Sequence, residues 1–180
     1  MNNRLVTKCA LISVISTMFL GDGCSTLPDT QGHQYPKLAG FFKTLEHGGR
    51  VKVAFLGGSI TWGATATDPM KTSYRALVSK YLSVTYPTAH VESIDAAIGG
   101  QPSKLGVFRM DRDVLPYKPD LVFVEFAVND GGEPDSAETV EGIIRKIHNV
   151  LPDTEVVLVI IGAGWEKYNC TPHNAHMKLA

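Results

Sequence analysis

Val51-Lys-Val-Ala-Phe-Leu-Gly-Gly-Ser-Ile-Thr-Trp-Gly63 reads as an alternating apolar strand that runs straight into two glycines, a serine and a short polar loop. The period-two alternation is that of a strand, and the glycines let the backbone turn sharply where the strand ends. A serine presented at the carboxyl end of a strand is how an open α/β sheet displays a nucleophile or clasps an anion. Ser59 carries both readings at this point.

Working outward, strands and helices alternate. Helical spacing of Leu77, Val78, Tyr81 and Leu82 predicts a helix over 73–86, stopped by Pro87. A shorter strand is expected over 90–95, a helix over 105–115, a strand over 121–126, an amphipathic helix over 137–151 and an aliphatic strand over 155–161. Upstream, Pro36 opens a short helix with Leu38, Phe41, Phe42 and Leu45 on one face, ended by Gly48-Gly49. Downstream, a further helix starts at Thr171. Strands alternating with helices predict an α/β fold, a parallel sheet with helices on both faces. Three glycine-rich loops then open on one sheet edge: Gly57 to Trp62, Ala96 to Pro102 and Ala127 to Gly132.

The chain has 180 residues, 44% of them hydrophobic, and a net charge of -1, which fits one globular domain plus a terminal segment. A core of that size needs no disulfide or metal. Near-neutral charge without a Lys/Arg cluster argues against nucleic acid as a partner, and no zinc-type Cys/His spacing occurs. Neither phosphate-binding glycine motif is present, which weighs against a nucleotide-binding domain.

Residues 1–24 have the three-part layout of an export signal: basic Arg4 and Lys8, an uncharged run from Cys9 to Leu20, then small residues. The segment around Cys24 resembles a bacterial lipoprotein signal, although Asp22 stands where a small uncharged residue is usual. Membrane anchoring through a lipidated Cys24 and ordinary secretion are both open. Cys9 leaves with the signal, so Cys24 and Cys170 are the only pair left, and lipidation of Cys24 makes Cys170 a lone thiol. Residues 25–35 read as a tether and 36–180 as the domain.

For acyl transfer, a serine needs a base and donors for the oxyanion. Ser59 supplies the hydroxyl and a backbone N–H, Gly100 a second backbone N–H, and Asn129 a side-chain amide. Gly57-Gly-Ser-Ile-Thr61, Gly99-Gly100 and Val128-Asn-Asp130, in that order on successive strand ends, resemble the SGNH (GDSL-type) hydrolases. The resemblance runs from about Arg50 onward. It implies a flavodoxin-like three-layer α/β/α fold, no cofactor or metal, and hydrolysis of esters, often on carbohydrates or lipids, with a small-molecule or glycan ester as partner. It places Ser59 on the nucleophile, Gly100 on the oxyanion glycine and Asn129 on the oxyanion asparagine.

Two positions depart from that pattern. Gly58 stands where the family usually has Asp, as in a familiar subgroup. The family's Asp three residues before a His near the carboxyl end is not found: His173 has Cys170 three before it, and His176 has His173. His33, His47, His90 and His148 read as surface or boundary residues. One strand and a closing helix are also short of the expected sheet, so the chain is expected to be the amino-terminal part of such an esterase. The alternative is a non-catalytic exported binding module or decayed enzyme with the same fold.

Other polar residues have plainer expectations. Asp130 fixes its loop through backbone hydrogen bonds. Arg109, Asp111, Arg112 and Asp113 form a solvated helix face with some ion pairing. Trp62 lines a pocket or packs in the core, and Glu125 faces a helix interface or pairs with a basic residue.

Overall fold

The computed structural model describes residues 38–130 and 135–161. The export signal, Cys24, the tether, Cys170, His33, His173, His176 and the helix expected from Thr171 lie outside them. Along the chain run α1 (Leu38–Glu46), β1 (Arg50–Gly57), α2 (Ser59–Trp62), α3 (Pro69–Thr72), α4 (Tyr74–Thr85), β2 (His90–Ala97), α5 (Ser103–Asp113), a 3-10 turn (Leu115–Tyr117), β3 (Leu121–Glu125), α6 (Ser136–Val150) and β4 (Glu155–Leu158).

The four strands form one parallel sheet in the order β2-β1-β3-β4. The order reverses between β1 and β3: the chain moves from β1 to one side, then crosses back over it. With crossovers of one hand, that reversal sends the helices to opposite faces. One face buries Ala54, Leu56, Ile94, Ala96, Val122 and Val124 against Met110, Val114 and Leu115 of and after α5, and against Ile143 and Ile147 of α6. On the other, Phe55 stacks on Phe123 at 5.1 Å and meets Tyr74 of α4 edge-on at 6.0 Å. The result is the expected three-layer α/β/α arrangement. At such a reversal point, loops after the two flanking strands diverge and leave a crevice at their carboxyl ends.

Several element ends differ from expectation, each for a local reason. β4 stops at Leu158 rather than 161 because β3, its partner, ends at Glu125. β2 runs on to Ala97 because β1 extends to Gly57, with which Ala97 pairs. α5 starts at Ser103, two residues early, where the Asp130 carboxylate accepts a 2.7 Å hydrogen bond from the Ser103 N–H. That bond supplies the cap that Pro102 lacks. The polar loop after β1 is instead one turn of helix, α2, closed by the Trp62 N–H on Gly58 O at 3.0 Å. Gly63, at φ +98°, ends that turn in the left-handed region. α3 is a short turn capped by Asp68, whose carboxylate takes the Met70 N–H at 3.0 Å.

Candidate active site

Ala97, Gly57 and Glu125 are direct neighbours across β2, β1 and β3. Ser59, Gly100 and Asn129 follow that row by two, three and four residues, so strand register alone delivers all three to one sheet edge. Parallel strands lie about 4.8 Å apart, which makes this row narrow enough for one reacting group to face residues from each.

The two glycines of the motif have separate steric reasons. A Cβ on Gly57 would fall 2.0 Å from Thr61 Oγ1, and one on Gly58 would fall 1.9 Å from Asn129 Oδ1. Each missing side chain is therefore a seat: Gly57 receives the Thr61 hydroxyl, and Gly58 receives the Asn129 carboxamide. The second seat places Asn129 against the residue just before Ser59. Gly100 differs. A Cβ there would meet nothing within 4 Å, and its φ of +76° is what calls for glycine. The Gly99-Gly100 loop thus borders open space at the same sheet edge as Ser59.

A buried polar chain holds that turn. Thr61 Oγ1 donates to Glu125 Oε2 at 3.1 Å and lies 3.1 Å from the Tyr74 hydroxyl. Thr61 has one proton, given to the carboxylate, so Tyr74 donates to Thr61. Burial raises the Tyr74 pKa well above its ordinary value; the Thr61 hydrogen bond opposes that rise, and the Glu125 charge adds to it. Tyr74 stays neutral and keeps its proton available for this bond. Arg75, also buried, donates to Thr61 O at 3.0 Å and pairs with Asp95 at 3.0 Å. Glu125 thus reaches the turn that carries Ser59 through a threonine hydroxyl.

Arg109 departs from the solvated face expected of it. It is 8% exposed and donates to Ala96 O and to Gly57 O, at 2.5 and 3.2 Å. Its helix face turns toward the sheet edge, where strand carbonyls run out of ladder partners. Asp111 and Arg112 are exposed, as expected. Asp113 binds both Arg112 and Arg109, and the Arg112 hydrogen bond leads in holding its carboxyl below the usual range. Asp130 fixes its loop to α5, as expected. Trp62 is half exposed and so does not pack as a core residue.

The described histidines sit at the opposite edge. His90 starts β2 and pairs with Arg50, the first residue of β1. His47 lies between α1 and that strand start, and His148 is in the last turn of α6, before β4 begins. β1 is eight residues long, so roughly 25 Å of strand separates His90 from the Ser59 edge. None of the three reaches Ser59 as a base.

Sequence patterns single out Ser59, Gly100 and Asn129, but not Thr61, Tyr74, Arg75 or Arg109. The one available signal was negative: polar residues at positions where a helix-sheet interface should be apolar.

The sequence pattern that defines the GDSL-like lipase/acylhydrolase family matches residues 55–178. The chain belongs to that family. No match is found among curated proteins. Among solved structures, this GDSL-like chain is similar to a two-domain esterase active on acetylated mannans and co-crystallised with mannopentaose. Identity is 35%, the match covers 69% of this chain and 34% of that one, and the TM-score is 0.66. The chain thus spans about a third of that esterase's length. A lipase/acylhydrolase from Enterococcus faecalis matches with 24% identity over 72% of this chain and 69% of its own, TM-score 0.56. An acetylxylan esterase from Geobacillus stearothermophilus matches with 19% identity over 71% and 68%, TM-score 0.57. These two share the fold of the GDSL-like family with this chain.

Proposed function

We propose that this chain carries the nucleophile and oxyanion site of a serine esterase that removes acyl groups from carbohydrate esters. The observation that carries the reading is the Asn129 carboxamide seated on Gly58, beside Ser59, at the point where the strand order reverses. Ser59 Oγ attacks the ester carbonyl carbon, and its proton passes to a base. The tetrahedral oxyanion rests on the Ser59 and Gly100 N–H groups and the Asn129 amide. Collapse expels the sugar hydroxyl and leaves acyl-Ser59, which water cleaves to release the acid. Donors aimed at a developing oxyanion in this way are each worth about 3–4 kcal/mol. The similarity to an esterase acting on acetylated mannans supports a glycan ester as substrate. The export signal read in residues 1–24 agrees with a substrate met outside the cytoplasm.

A non-catalytic module with this fold is the second reading, favoured by one observation: the described histidines lie at the edge away from Ser59. One experiment separates the two. The open reading frame containing these residues is expressed to its stop codon, and acetate release from an acetylated oligosaccharide is measured. The 180-residue chain is assayed beside it. The esterase reading expects turnover from the full frame that Ser59→Ala abolishes and Asn129→Ala lowers by roughly 100- to 1,000-fold. It expects little or no Ser59-dependent turnover from the 180-residue chain. Turnover that survives Ser59→Ala, or none from the full frame, overturns it.

A further inference from the structure

A Cβ on Gly99 or Gly100 would meet nothing within 4 Å, so nothing packs where their side chains would be. The loop is therefore placed by its two ends, the close of β2 at Ala97 and the start of α5 at Ser103. At the α5 end, the Asp130 carboxylate accepts the Ser103 N–H at 2.7 Å, and the Asp130 N–H donates to Phe126 O at 2.8 Å. Those two bonds tie one end of the Gly100 loop to the turn that carries Asn129.

The buried Arg109 guanidinium holds the other end. Its Nη1 donates to Ala96 O at 2.5 Å and its Nη2 to Gly57 O at 3.2 Å. These carbonyls lie on neighbouring strands; one precedes Gly100 by four residues and the other precedes Ser59 by two. A guanidinium is planar and rigid, so two carbonyls that share it are held at a spacing set by its covalent geometry. Asp113 Oδ2 accepts from the same Nη1 at 3.1 Å, which fixes the fork on α5 itself. Gly57 O also takes the Ile98 N–H at 3.1 Å, and the Gly58 N–H donates to Glu125 O at 3.2 Å. The peptide unit just ahead of Ser59 is thus held at both its polar atoms.

Strand-end carbonyls need donors, which is reason enough for a buried arginine near them. Gly57 O already has the Ile98 N–H, however, so its bond to Arg109 is not required for satisfaction. What that bond adds is a fixed distance between the ends of β1 and β2. We propose that Arg109 is a positioning residue: through its fork, α5 sets the spacing between the Ser59 and Gly100 N–H groups. In this role it touches neither substrate nor reacting atoms. The inference rests on the proposed esterase reading, in which those two N–H groups receive the oxyanion.

Two variants, made in the protein expressed from the full open reading frame, separate the fork from the charge. Arg109→Lys keeps the charge and loses the planar fork; Arg109→Gln keeps a planar donor group and loses the charge. Acetate release from an acetylated oligosaccharide and affinity for phenylboronic acid are measured, with urea unfolding alongside. The Ser59 oxygen adds to boron, its proton leaves to the base, and the tetrahedral anion puts an oxygen where the oxyanion forms. Both variants are expected to fold and to lose about tenfold or more in kcat, since a misplacement of about 1 Å costs on the order of 100-fold. Boronate affinity should weaken by a similar factor, because both readouts report the same donors. A kcat for Arg109→Lys within about twofold of wild type overturns the positioning role. So does unchanged boronate affinity, a change confined to KM, which would mark a substrate contact, or loss of the fold in both variants. Wild-type protein without Ser59-dependent turnover removes the esterase reading and this role with it. Wild-type turnover that Arg109→Lys retains removes this role alone.

Discussion

At the scale of single residues, the site turns on two absent side chains. Gly58 shows how this chain departs from its wider family, where Asp is usual. A Cβ at position 58 would sit 1.9 Å from Asn129 Oδ1 and 2.6 Å from its Cγ, separations that real Cβ atoms essentially never show. The carboxamide must then rotate off its seat, which in the proposed mechanism removes it from the oxyanion. Gly58→Ala is therefore expected to lower kcat about as much as Asn129→Ala does, roughly 100-fold or more, and to add little in the Asn129→Ala background. Gly58→Asp should do no better, even though it restores the commoner family residue. A double-mutant cycle on kcat, in the protein expressed from the full open reading frame, is the measurement. Additive losses, or a Gly58→Ala enzyme close to wild type, would show that Asn129 has another seat available. The glycine itself was legible in the sequence as a mark of the loop that carries Ser59. Its reason was not, because the atom that excludes a Cβ comes from a residue 71 positions away in the chain.

At the scale of elements, a four-residue helix is too short to hold its own position. α2 is held instead by side chains reaching it from β3 and α4: Glu125 through the Thr61 hydroxyl, Tyr74 on the same oxygen, and Arg75 on the Thr61 carbonyl. Thr61→Val keeps shape and removes only the hydroxyl. It removes the hydrogen bonds that Glu125 and Tyr74 make there, at a cost of about 1–3 kcal/mol in stability. Because the turn carries Ser59, kcat should fall. Urea unfolding and steady-state kinetics on the same variant check both halves; unchanged stability would mean the chain re-forms without Thr61. Strand and helix order was readable from Val51–Leu56, Leu121–Phe126 and the stripe Val140, Ile143, Ile144, Ile147, since hydrophobic period is local information. What holds α2 was not readable, because Thr61, Tyr74 and Glu125 meet only after three separate elements have packed. Arg109 was misread for the same reason: helical spacing shows which residues share its face, but not that this face meets the sheet edge.

At the scale of the whole molecule, core and site share a residue. Phe126 is 1% exposed, belongs to the cluster that α5 and α6 bury against the sheet, and directly precedes the loop that carries Asn129 and Asp130. Gly106 of α5 lies against it: a Cβ there would come within 2.7 Å of Phe126 Cζ, 3.1 Å of Cε2 and 3.4 Å of Ile143 Cδ1. Gly106→Ala sets two effects in opposition. Replacing a mid-helix glycine gains about 0.5–1 kcal/mol from backbone entropy. Overpacking a filled core costs about 1–3 kcal/mol, and the ring in the way is hemmed in by a buried cluster rather than free at a surface. The second effect is the larger, so a net loss of about 1 kcal/mol is expected in urea unfolding. Because the ring moves with the backbone of 126–130, kcat should fall as well. Phe126→Leu in the Gly106→Ala background removes the clash and should recover part of that stability. A Gly106→Ala chain more stable than wild type would mean that the ring has room to shift, and that packing at α5 and the geometry of the Asn129 loop are uncoupled.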